Sequence, residues 1–502
     1  MLKASTTDTK AALKLPCALF IIMFLACTGS VAAEVFRPLQ ILLPGNLNGN
    51  LATLDRNLKA EPDLCWRVVE LLDSFRKLRD KDSLVIAPGN DSSIYSPVNY
   101  LFKGAMEREL VGRCRPDAQG LSPNDLEMFA DSGLSKEIRE RVWTNHETLD
   151  QQTIFTPFRI LKTGAQRIWF FNFISPDYCR YLPLSNWGNL EVDSPQRSLR
   201  RLAADFVDND ITISITYLNE REIRQLATEL QNKPGWHLII QIPLPGTRPL
   251  FSTIVPQQQD NLWFMSLAEG HRYLPLINIF RRNTGYPRLN LRRLPFSKSS
   301  DQRAEDLFGE ARSRIKKIIT QPLKVISPAF QATSSAFRFA GNMFAMLVRQ
   351  ASNSDVTFLR VPSMHHLVDN VICTGHILAV MDNDRVHSFR LSGKELFELA
   401  TALVKDSDTR PTAVAGCEIV WFAGRISALK IAGQPYRPDR SYLVSTTEQT
   451  LSDPALKNLN SLQKMRGYEG STLWNVWLNC LKSHTITNEQ LIEYPLDWKS
   501  NE

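Results

Sequence analysis

Several sequence signatures of common enzyme classes are missing from this 502-residue chain. It has no Gly-x-Ser-x-Gly motif and no glycine-rich phosphate loop of the Walker or dinucleotide-binding type. No Cys-x-x-Cys pair occurs, which argues against a zinc knuckle or a redox motif. Histidine is scarce, and the adjacent pair His365-His366 would point to opposite faces of a strand. Paired carboxylates for glycoside chemistry stay open, because they need no local motif.

Strong charge of one sign is also missing. The composition of 43% apolar and 22% charged residues is typical of a globular protein, and the length allows two or three domains. The formal net charge is +7, and no long basic stripe occurs, so we expect no nucleic-acid partner. The basic clusters Arg197–Arg201 and Arg281–Arg293 are interpreted as solvated faces, with attraction to phosphate groups or a membrane surface as the alternative.

The N-terminus has the pattern of an export signal. Lys10 and Lys14 precede the apolar run Leu15–Cys27, and Val31-Ala32-Ala33 has the small residues of a cleavage site. The run is short for a spanning helix. We therefore predict a signal peptide over residues 1–33 and a periplasmic or secreted protein. A retained signal anchor and a lipoprotein cleaved at Cys27 are the alternatives. No later stretch is apolar enough to predict a transmembrane segment in the mature chain.

Six cysteines follow the predicted signal peptide. In an exported protein an even number permits disulfides, and six cysteines allow 15 pairings. The spacing does not select one pairing, and with three cysteines in each half at least one per half stays free unless a bridge joins the halves. The six are Cys65, Cys114, Cys179, Cys373, Cys417 and Cys480.

Alternating strand-like and helix-like segments predict an α/β first domain over residues 34–295. The predicted strands are Leu39–Leu43, Ser83–Ala87, Arg167–Ile174, Ile211–Tyr217 and His237–Ile242, and the predicted helices are Cys65–Arg79 and Glu220–Leu230.

A linking helix is predicted within residues 296–322, because Ser299 and Gln302 have capping-box spacing and an apolar stripe follows at helical period. Residues 323–502 have an α+β pattern and form the last predicted domain. Its predicted elements are the helices Ala336–Gln350 and Gly393–Val404, the strand Val356–Leu359, and several short strands from Cys417 to Thr446.

Three segments of the C-terminal half resemble a known family in order and spacing. They are Gly341-Asn342 within an apolar helix, Leu391–Leu396 (LSGKEL), and the closing unit Ile431–Tyr436 (IAGQPY) with Tyr442–Thr446 (YLVST). The family is the bacterial periplasmic 5′-nucleotidase/UDP-sugar hydrolase group, and the similarity covers nearly the whole mature chain. It implies an N-terminal layered αββα domain of the calcineurin-like metallophosphoesterase type, a linking helix and an α+β 5′-nucleotidase-type C-terminal domain.

The resemblance also implies that the metal-ligand motifs are degenerate. The family's Asp-x-His-Gly falls on Asn46-Leu47-Asn48-Gly49, and its Gly-Asp falls on Gly89-Asn90. Its Gly-Asn-His-Glu motif falls on Ser122–Asp125, with Asn124 at the histidine position. Its Gly-His-x-His motif falls on residues 242–245, with Pro243 and Pro245 in place of the histidines. A pair of divalent cations requires anionic carboxylates and imidazoles. We therefore expect no metal ligand and no catalytic residue at these positions.

Two near matches to the metal motifs are set aside. Asp91 is adjacent to Asn90, but we expect it to point to the other side of the turn. The literal Asn145-His146-Glu147 lies too close to Thr156-Pro157-Phe158 and fits a later family segment, so His146 is not expected to bind a metal.

The substrate side of the family is altered too. The position of the first nucleobase-stacking ring falls on Asp382, and the loop to the second ring is replaced by Leu451–Pro454. The family's phosphate-side segment falls on Arg360–Met364. Arg360 is interpreted either as an anion-binding residue or as an ordinary surface arginine. Arg360 and Asp382 are therefore the two candidate ligand-binding residues.

Two functional hypotheses follow from the residues and the resemblance. The first is a pseudoenzyme without a cofactor, a binding or scaffold module in the cell envelope for an unidentified protein or small molecule. The alternative is a divergent phosphoesterase that hydrolyses nucleotides or related phosphate esters in nucleotide catabolism, with Mn²⁺, Zn²⁺ or Mg²⁺ at a non-standard site. A third and weaker possibility is an envelope protein that docks on anionic surfaces through Arg281–Arg293.

Overall fold

A computed structural model describes most of the chain between residues 38 and 483. The described residues are 38–47, 49, 52–54, 60–62, 83–130, 136–148, 155–163, 166–179, 190–243, 248–267, 273–280, 287–295, 302–325, 334–360, 371–380, 383–405, 412–422, 425–451, 456 and 471–483. The predicted signal peptide and the predicted helix Cys65–Arg79 lie outside these residues.

The strands are numbered in chain order. They are β1 Leu39–Leu42, β2 Ala52–Leu54, β3 Ala60–Pro62, β4 Ser83–Ala87, β5 Ala118–Gln119, β6 His146–Thr148, β7 Arg159–Thr163, β8 Gln166–Ile174, β9 Leu190–Val192, β10 Ile211–Tyr217, β11 Trp236–Gln241, β12 Gln257–Gln259, β13 Leu262–Ser266, β14 Tyr273–Phe280, β15 Arg288–Pro295, β16 Pro322–Val325, β17 Val356–Arg360, β18 Val371–Cys373, β19 Val386–Ser392, β20 Thr412–Ala415, β21 Cys417–Phe422, β22 Arg425–Ile431, β23 Gln434–Pro435 and β24 Ser441–Thr447.

The helices are numbered in the same way. They are α1 Pro97–Leu101, α2 Ala105–Arg113, α3 Pro123–Ala130, α4 Lys136–Arg139, α5 Pro176–Cys179, α6 Pro195–Leu202, α7 Glu220–Gln231, α8 Gln302–Ile319, α9 Ser334–Ser352, α10 Thr374–Val380, α11 Gly393–Lys405, α12 Glu448–Leu451 and α13 Leu473–Lys482.

Two mixed sheets form the N-terminal half. The first has the order β15-β14-β1-β4-β5, with β1, β4 and β5 parallel, and the second has the order β12-β13-β11-β10-β8-β7, with β8, β10, β11 and β13 parallel. Strand β10 is buried along its whole length, as is expected of a central strand covered on both faces.

Alternating side chains of these strands divide the core into layers. Ile41 and Ile86 of the first sheet share one buried cluster with Phe170 and Ile213 of the second, so the two sheets pack face to face. The opposite face of the first sheet packs against α2 and α8, and that of the second packs against α6 and α7. The result is the expected αββα arrangement, because each sheet buries one face on its partner and one on helices.

The C-terminal half is α+β, as predicted. Its four-stranded sheet has the order β19-β24-β17-β20, and the three-stranded sheet β21-β22-β23 lies beside it. One face of the larger sheet packs against α9 and α13, and the other packs against α11.

The sequence periodicity predicted the long elements well. Strands β4 and β10 have the predicted bounds. Helices α7 and α11 extend the predicted helices by one residue at the C-terminal end, and α9 extends its predicted helix by two residues at each end. The predicted linking helix is α8, which begins at Gln302 and ends at Ile319. Among the described residues, no helix combines the length and the apolar character that are needed to cross a bilayer. No disulfide joins two of the described cysteines.

Candidate functional site

Three of the asparagines predicted at metal-ligand positions follow neighbouring parallel strands. Asn46 lies beyond β1, Asn90 lies beyond β4, and Asn124 lies beyond β5 in the first turn of α3. Because the carboxyl ends of parallel strands meet at one edge of a sheet, this topology brings the three side chains together. We name Asn46, Asn90 and Asn124 the asparagine triad.

The triad is a chain of amide hydrogen bonds. The Nδ2 atom of Asn90 donates to Oδ1 of Asn46 at 2.7 Å, and Nδ2 of Asn124 donates to Oδ1 of Asn90 at 2.9 Å. The three residues are only 3%, 6% and 7% exposed, in sequence order. The amide orientations follow from this hydrogen-bond network. Both the Nδ2 and the Oδ1 atom of Asn90 therefore bond to the other two asparagines.

Unusual backbone conformations hold the triad in place. Asn46 and Asn90 both lie in the left-handed region, with φ of 58° and 59°. Asparagine is the residue other than glycine that best tolerates this region. The Asn46 backbone N–H donates to the Gly89 carbonyl oxygen at 3.0 Å, so the two strand-end turns are tied to each other. These turns fix the directions of the Asn46 and Asn90 side chains through the protein's own backbone.

A fully buried carboxylate braces the same turns. Asp125 Oδ2 accepts from the backbone N–H groups of Asn90 at 2.8 Å and Ser122 at 3.1 Å, and from Ser122 Oγ at 3.0 Å. Its Oδ1 accepts from the Ser92 backbone N–H at 3.0 Å. We did not predict this role for Asp125. The sequence signal that could have indicated it is the three-residue spacing of Ser122 and Asp125, which matches a capping box.

Further ionisable groups are buried beside the triad. Asp91, Glu107 and Arg141 are all inaccessible or nearly so, and Arg141 Nη1 lies 3.8 Å from Asp125 Oδ2. Burial, reinforced by the Asp125 charge and opposed by Arg141, raises the pKa of Asp91 to about 8. Burial also raises the pKa of Glu107 to about 7. The Asp91 carboxyl makes no hydrogen bond to any asparagine of the triad.

The described residues do not fit a dinuclear metal centre. The triad offers neutral amides, and two of its three amide oxygens already accept hydrogen bonds within it. Among the residues that the structure describes, no three or more His, Cys, Asp and Glu residues lie together as a metal site. Pro243 lies two residues beyond β11 and has no ligand atom in its side chain. Asn48 and Pro245 lie outside the described residues.

His146 is a packing residue. Its Nδ1 atom bonds to the Trp143 carbonyl oxygen, and its Nε2 accepts from the Phe155 backbone N–H at 3.4 Å. The ring packs against the rings of Trp143 and Phe155, with centroid distances of 5.7 and 5.5 Å, and those two rings also contact each other at 5.2 Å. Burial lowers the pKa of His146 and favours the neutral ring. Both ring nitrogens thus bond to the local backbone.

Arg360 makes contacts within the C-terminal half. Its Nη1 atom donates to Thr412 Oγ1 at 2.7 Å and to the Leu403 carbonyl oxygen at 3.3 Å. These bonds tie the end of β17 to β20 and α11. Asp382 lies outside the described residues. Ligand binding by Arg360 and Asp382 therefore stays a prediction.

A buried ion pair joins the two halves of the chain next to the triad. Glu127 belongs to α3, the helix that begins with Pro123 and Asn124, and Arg385 immediately precedes β19. Arg385 Nε and Nη2 both lie 2.6 Å from Glu127 Oε1, and each side chain is only 9% exposed. Both nitrogens thus share one carboxylate oxygen, and such a charge-assisted contact is stronger than a hydrogen bond between neutral groups. We name this contact the interdomain clasp.

Neutral contacts surround the interdomain clasp. Asn383 Nδ2 donates to the Ile94 carbonyl oxygen at 2.8 Å, while Asn383 Oδ1 accepts from the Trp474 backbone N–H at 3.2 Å. The Tyr100 ring packs edge-on against the Trp474 ring at a centroid distance of 4.9 Å, and its hydroxyl bonds to Asn475. Asn383 follows the predicted stacking position Asp382, and it thus contacts a loop beside the triad through Ile94.

No protein-family model matches the sequence, and no curated protein matches it. Solved structures, however, share its fold. A Staphylococcus aureus protein assigned as a 5′-nucleotidase, solved with α-ketoglutarate, has a TM-score of 0.62 and 12% identity, with coverage of 91% of this chain and 98% of that chain.

Two further solved structures support the same fold. The NAD nucleotidase of Haemophilus influenzae has a TM-score of 0.54 and 12% identity, covering 90% of this chain and 98% of its own. A 5′-nucleotidase precursor of Thermus thermophilus has a TM-score of 0.53 and 14% identity, covering 89% and 96%. The chain therefore has the two-domain fold of the 5′-nucleotidases along nearly its whole length, and the fold class predicted from the resemblance is confirmed.

Replacing Asp91 by Asn is expected to flatten the pH dependence of stability. The folded carboxyl keeps its proton up to a pKa of about 8, whereas the ordinary value is 3.8. The folded state therefore binds more protons than the unfolded state between these values, and the stability that this proton contributes is lost as the pH rises toward 8. The loss from one proton is at most ~1.4 kcal/mol per pH unit. Urea unfolding at a series of pH values measures the slope.

Asp208→Asn is the matched control for Asp91→Asn, because Asp208 is exposed. The Asp208→Asn protein should keep the wild-type slope of unfolding free energy against pH. Glu107 should leave a smaller residual slope in the Asp91→Asn protein, since its pKa is raised from 4.5 to about 7. An Asp91→Asn protein that loses stability with pH as steeply as the wild type would contradict the assignment.

Glu127→Gln is expected to destabilise the protein by about 3 kcal/mol, because it leaves the buried Arg385 guanidinium opposite a neutral amide. The free energy of unfolding in denaturant is the measurement. Glu109→Gln is the control, since Glu109 pairs with Arg113 one turn away on an exposed face of α2. Its effect should stay below about 0.5 kcal/mol. Equal effects of the two substitutions would show that the interdomain clasp does not contribute as a buried pair.

Proposed function

We propose that this protein is an exported, catalytically silent protein with the 5′-nucleotidase fold, and that it acts as a binding or scaffold module in the cell envelope. The asparagine triad is the observation that carries the proposal. At the sheet edge where a dinuclear phosphatase would hold its cations, three amides hydrogen-bond to one another.

Electrostatics supports the loss of metal-dependent chemistry. Two divalent cations need several anionic ligands, one of them shared, to clamp a phosphate group and activate water. Asn90 offers a neutral oxygen at the shared position, and that oxygen already accepts from Asn124. Losing one partner behind a metal ligand costs about 10–100-fold in affinity or activity, so replacing several ligands themselves should cost far more.

The retained geometry supports a role that depends on shape. The turns that carry the triad are held by the Asp125 carboxylate, and the interdomain clasp joins α3 to the C-terminal half. None of these contacts requires a metal ion. A protein with this internal support can present the cleft between its domains, or an outer face, to a protein or small-molecule ligand. The N-terminal pattern of lysines, an apolar run and small residues motivates the envelope location.

Metal content tests the proposal. The purified mature protein is incubated with Mn²⁺, Zn²⁺ and Mg²⁺, desalted, and measured by elemental analysis, with an active 5′-nucleotidase treated in parallel. We expect less than about 0.1 ion per chain, because neutral amides do not replace carboxylates and imidazoles. One or two ions retained per chain would overturn the proposal.

An activity assay separates this proposal from the alternative of a divergent phosphoesterase. Nucleoside 5′-monophosphates, nucleotide sugars and p-nitrophenyl phosphate are offered with each metal, and phosphate release is measured. No release above that of heat-denatured protein is expected. Turnover that a chelator removes and added metal restores would establish the divergent phosphoesterase with a non-standard metal site.

A further inference from the structure

A groove lies on the outer face of the second sheet, the face that is turned away from the first sheet. Helix α7 packs on this face over β11 and β13, and the edge strand β12 lies beside β13 with its three side chains exposed. The space between α7, β12 and the loop that precedes β12 has a volume of about 720 Å³. Sites for small molecules have volumes of about 300–1,000 Å³, so the groove is large enough for such a ligand.

One wall of the groove is a single face of α7. Its lining residues recur at intervals of three or four positions, which places them on one side of the helix. They are Glu220, Ile223, Arg224, Ala227, Thr228 and Gln231. Gln231 Nε2 donates to Asp260 Oδ2 at 2.7 Å, and this bond joins the last turn of α7 to the turn between β12 and β13. The groove is therefore closed at that end.

The register of β12 directs two glutamine side chains to the same face. Gln257 is paired with Phe264 and Gln259 is paired with Leu262 in the antiparallel pair of β12 and β13. Directly opposite residues of an antiparallel pair point to the same face of the sheet. Phe264 and Leu262 pack in the outer cluster with α7, so Gln257 and Gln259 lie on the outer face as well. Both glutamines are exposed and line the groove.

The floor of the groove is apolar and includes two aromatic rings. Leu262, Phe264 and the partly buried Phe251 form it. The rings of Phe251 and Phe264 lie 5.0 Å apart between centroids. The Phe251 backbone N–H donates to Ser266 Oγ at 3.2 Å, so the loop that carries this ring is fixed to β13. The floor thus has a defined shape.

The groove has no unpaired charge. Among the described residues that line it, Glu220 and Arg224 are the ionisable ones, and they pair with each other. Arg224 Nε and Nη2 donate to Glu220 Oε1 at 3.1 and 2.5 Å. The other polar side chains are amides and a hydroxyl, which both donate and accept hydrogen bonds. A phosphate or carboxylate would meet no free cation here, and a wholly apolar ligand would leave the amides without partners.

We propose that this groove, which we name the glutamine groove, binds a short neutral oligosaccharide. Sugar hydroxyls donate and accept hydrogen bonds, as the amides of Gln257 and Gln259 do. The C–H face of a sugar ring is flat and apolar, and it packs on the ring of Phe251. An apolar floor with a few polar groups that orient the ligand is the usual composition of a small-molecule site.

The glutamine groove is separate from the asparagine triad. The triad follows strands of the first sheet, whereas the groove lies on the outer face of the second. The proposal therefore goes beyond the proposed function and does not depend on whether the protein is catalytically silent. A failure to bind sugars would leave the metal-content test of that function unaffected.

Binding of trisaccharides to the full-length mature protein tests the proposal. The neutral probes are maltotriose, cellotriose and triacetylchitotriose, and trigalacturonic acid is the anionic probe in isothermal titration calorimetry. We expect at least one neutral probe to bind with a Kd of about 1 mM or lower. The anionic probe should bind at least about tenfold more weakly, because the groove offers it no free cation. Absence of binding by all the neutral probes, or equal binding of the anionic one, would overturn the proposal.

Matched variants locate the binding site. Thr228→Trp should abolish binding, because the indole ring fills the groove. Gln257→Ala/Gln259→Ala should weaken binding at least about tenfold, because two amides that bond to the sugar are removed. Gln225→Trp, at an exposed position of α7 outside the groove, is the control for the tryptophan. Gln225→Ala/Gln350→Ala removes two exposed glutamines elsewhere and is the control for the alanines.

Each outcome decides for or against the glutamine groove. All the substituted side chains are exposed, and thermal unfolding checks that each variant folds. Loss of binding in both groove variants, with wild-type binding in both controls, supports the proposal. Wild-type binding in the groove variants, or equal loss in the controls, would overturn it by placing the sugar elsewhere. Binding of an uncharged extended peptide without binding of any trisaccharide would overturn it in favour of a peptide partner.

Discussion

The Asp125 carboxylate is the contact on which the candidate site depends. It accepts hydrogen bonds from the turn after β4 and from the start of α3, and so it fixes two of the three segments that carry the triad. A buried carboxylate is costly unless donors and a cation satisfy it, and here backbone N–H groups and Arg141 do so. The protein's own hydrogen bonds therefore hold these loops.

The neutral charge of the triad allows its close packing. Three carboxylates at these positions would repel one another. The asparagine amides instead pair donor to acceptor. The buried acids Asp91 and Glu107 lie beside the triad, and burial raises the pKa of both. The triad and these acids form a packed polar core, and proton binding by the buried acids makes its stability depend on pH.

Several buried contacts join the two halves of the chain close to the triad. Glu127 shares its helix with Asn124, and its partner Arg385 immediately precedes β19. Asn383 and Tyr100 add neutral bonds and ring packing around this ion pair. Together these contacts join the loops around the triad to the C-terminal half.

The sequence by itself determined the long elements and the positions of the triad. Strand β10 and helices α7, α8 and α9 follow from local periodicity and end signals, which depend on neighbouring residues only. The tertiary structure alone decided what those residues do. Asp125 bonds to backbone groups 33 and 35 residues away, and Arg385 meets a carboxylate 258 residues earlier in the chain. Such partners come together only when strands align at one sheet edge and when the two halves pack. A local sequence pattern does not specify contacts between residues so far apart in the chain.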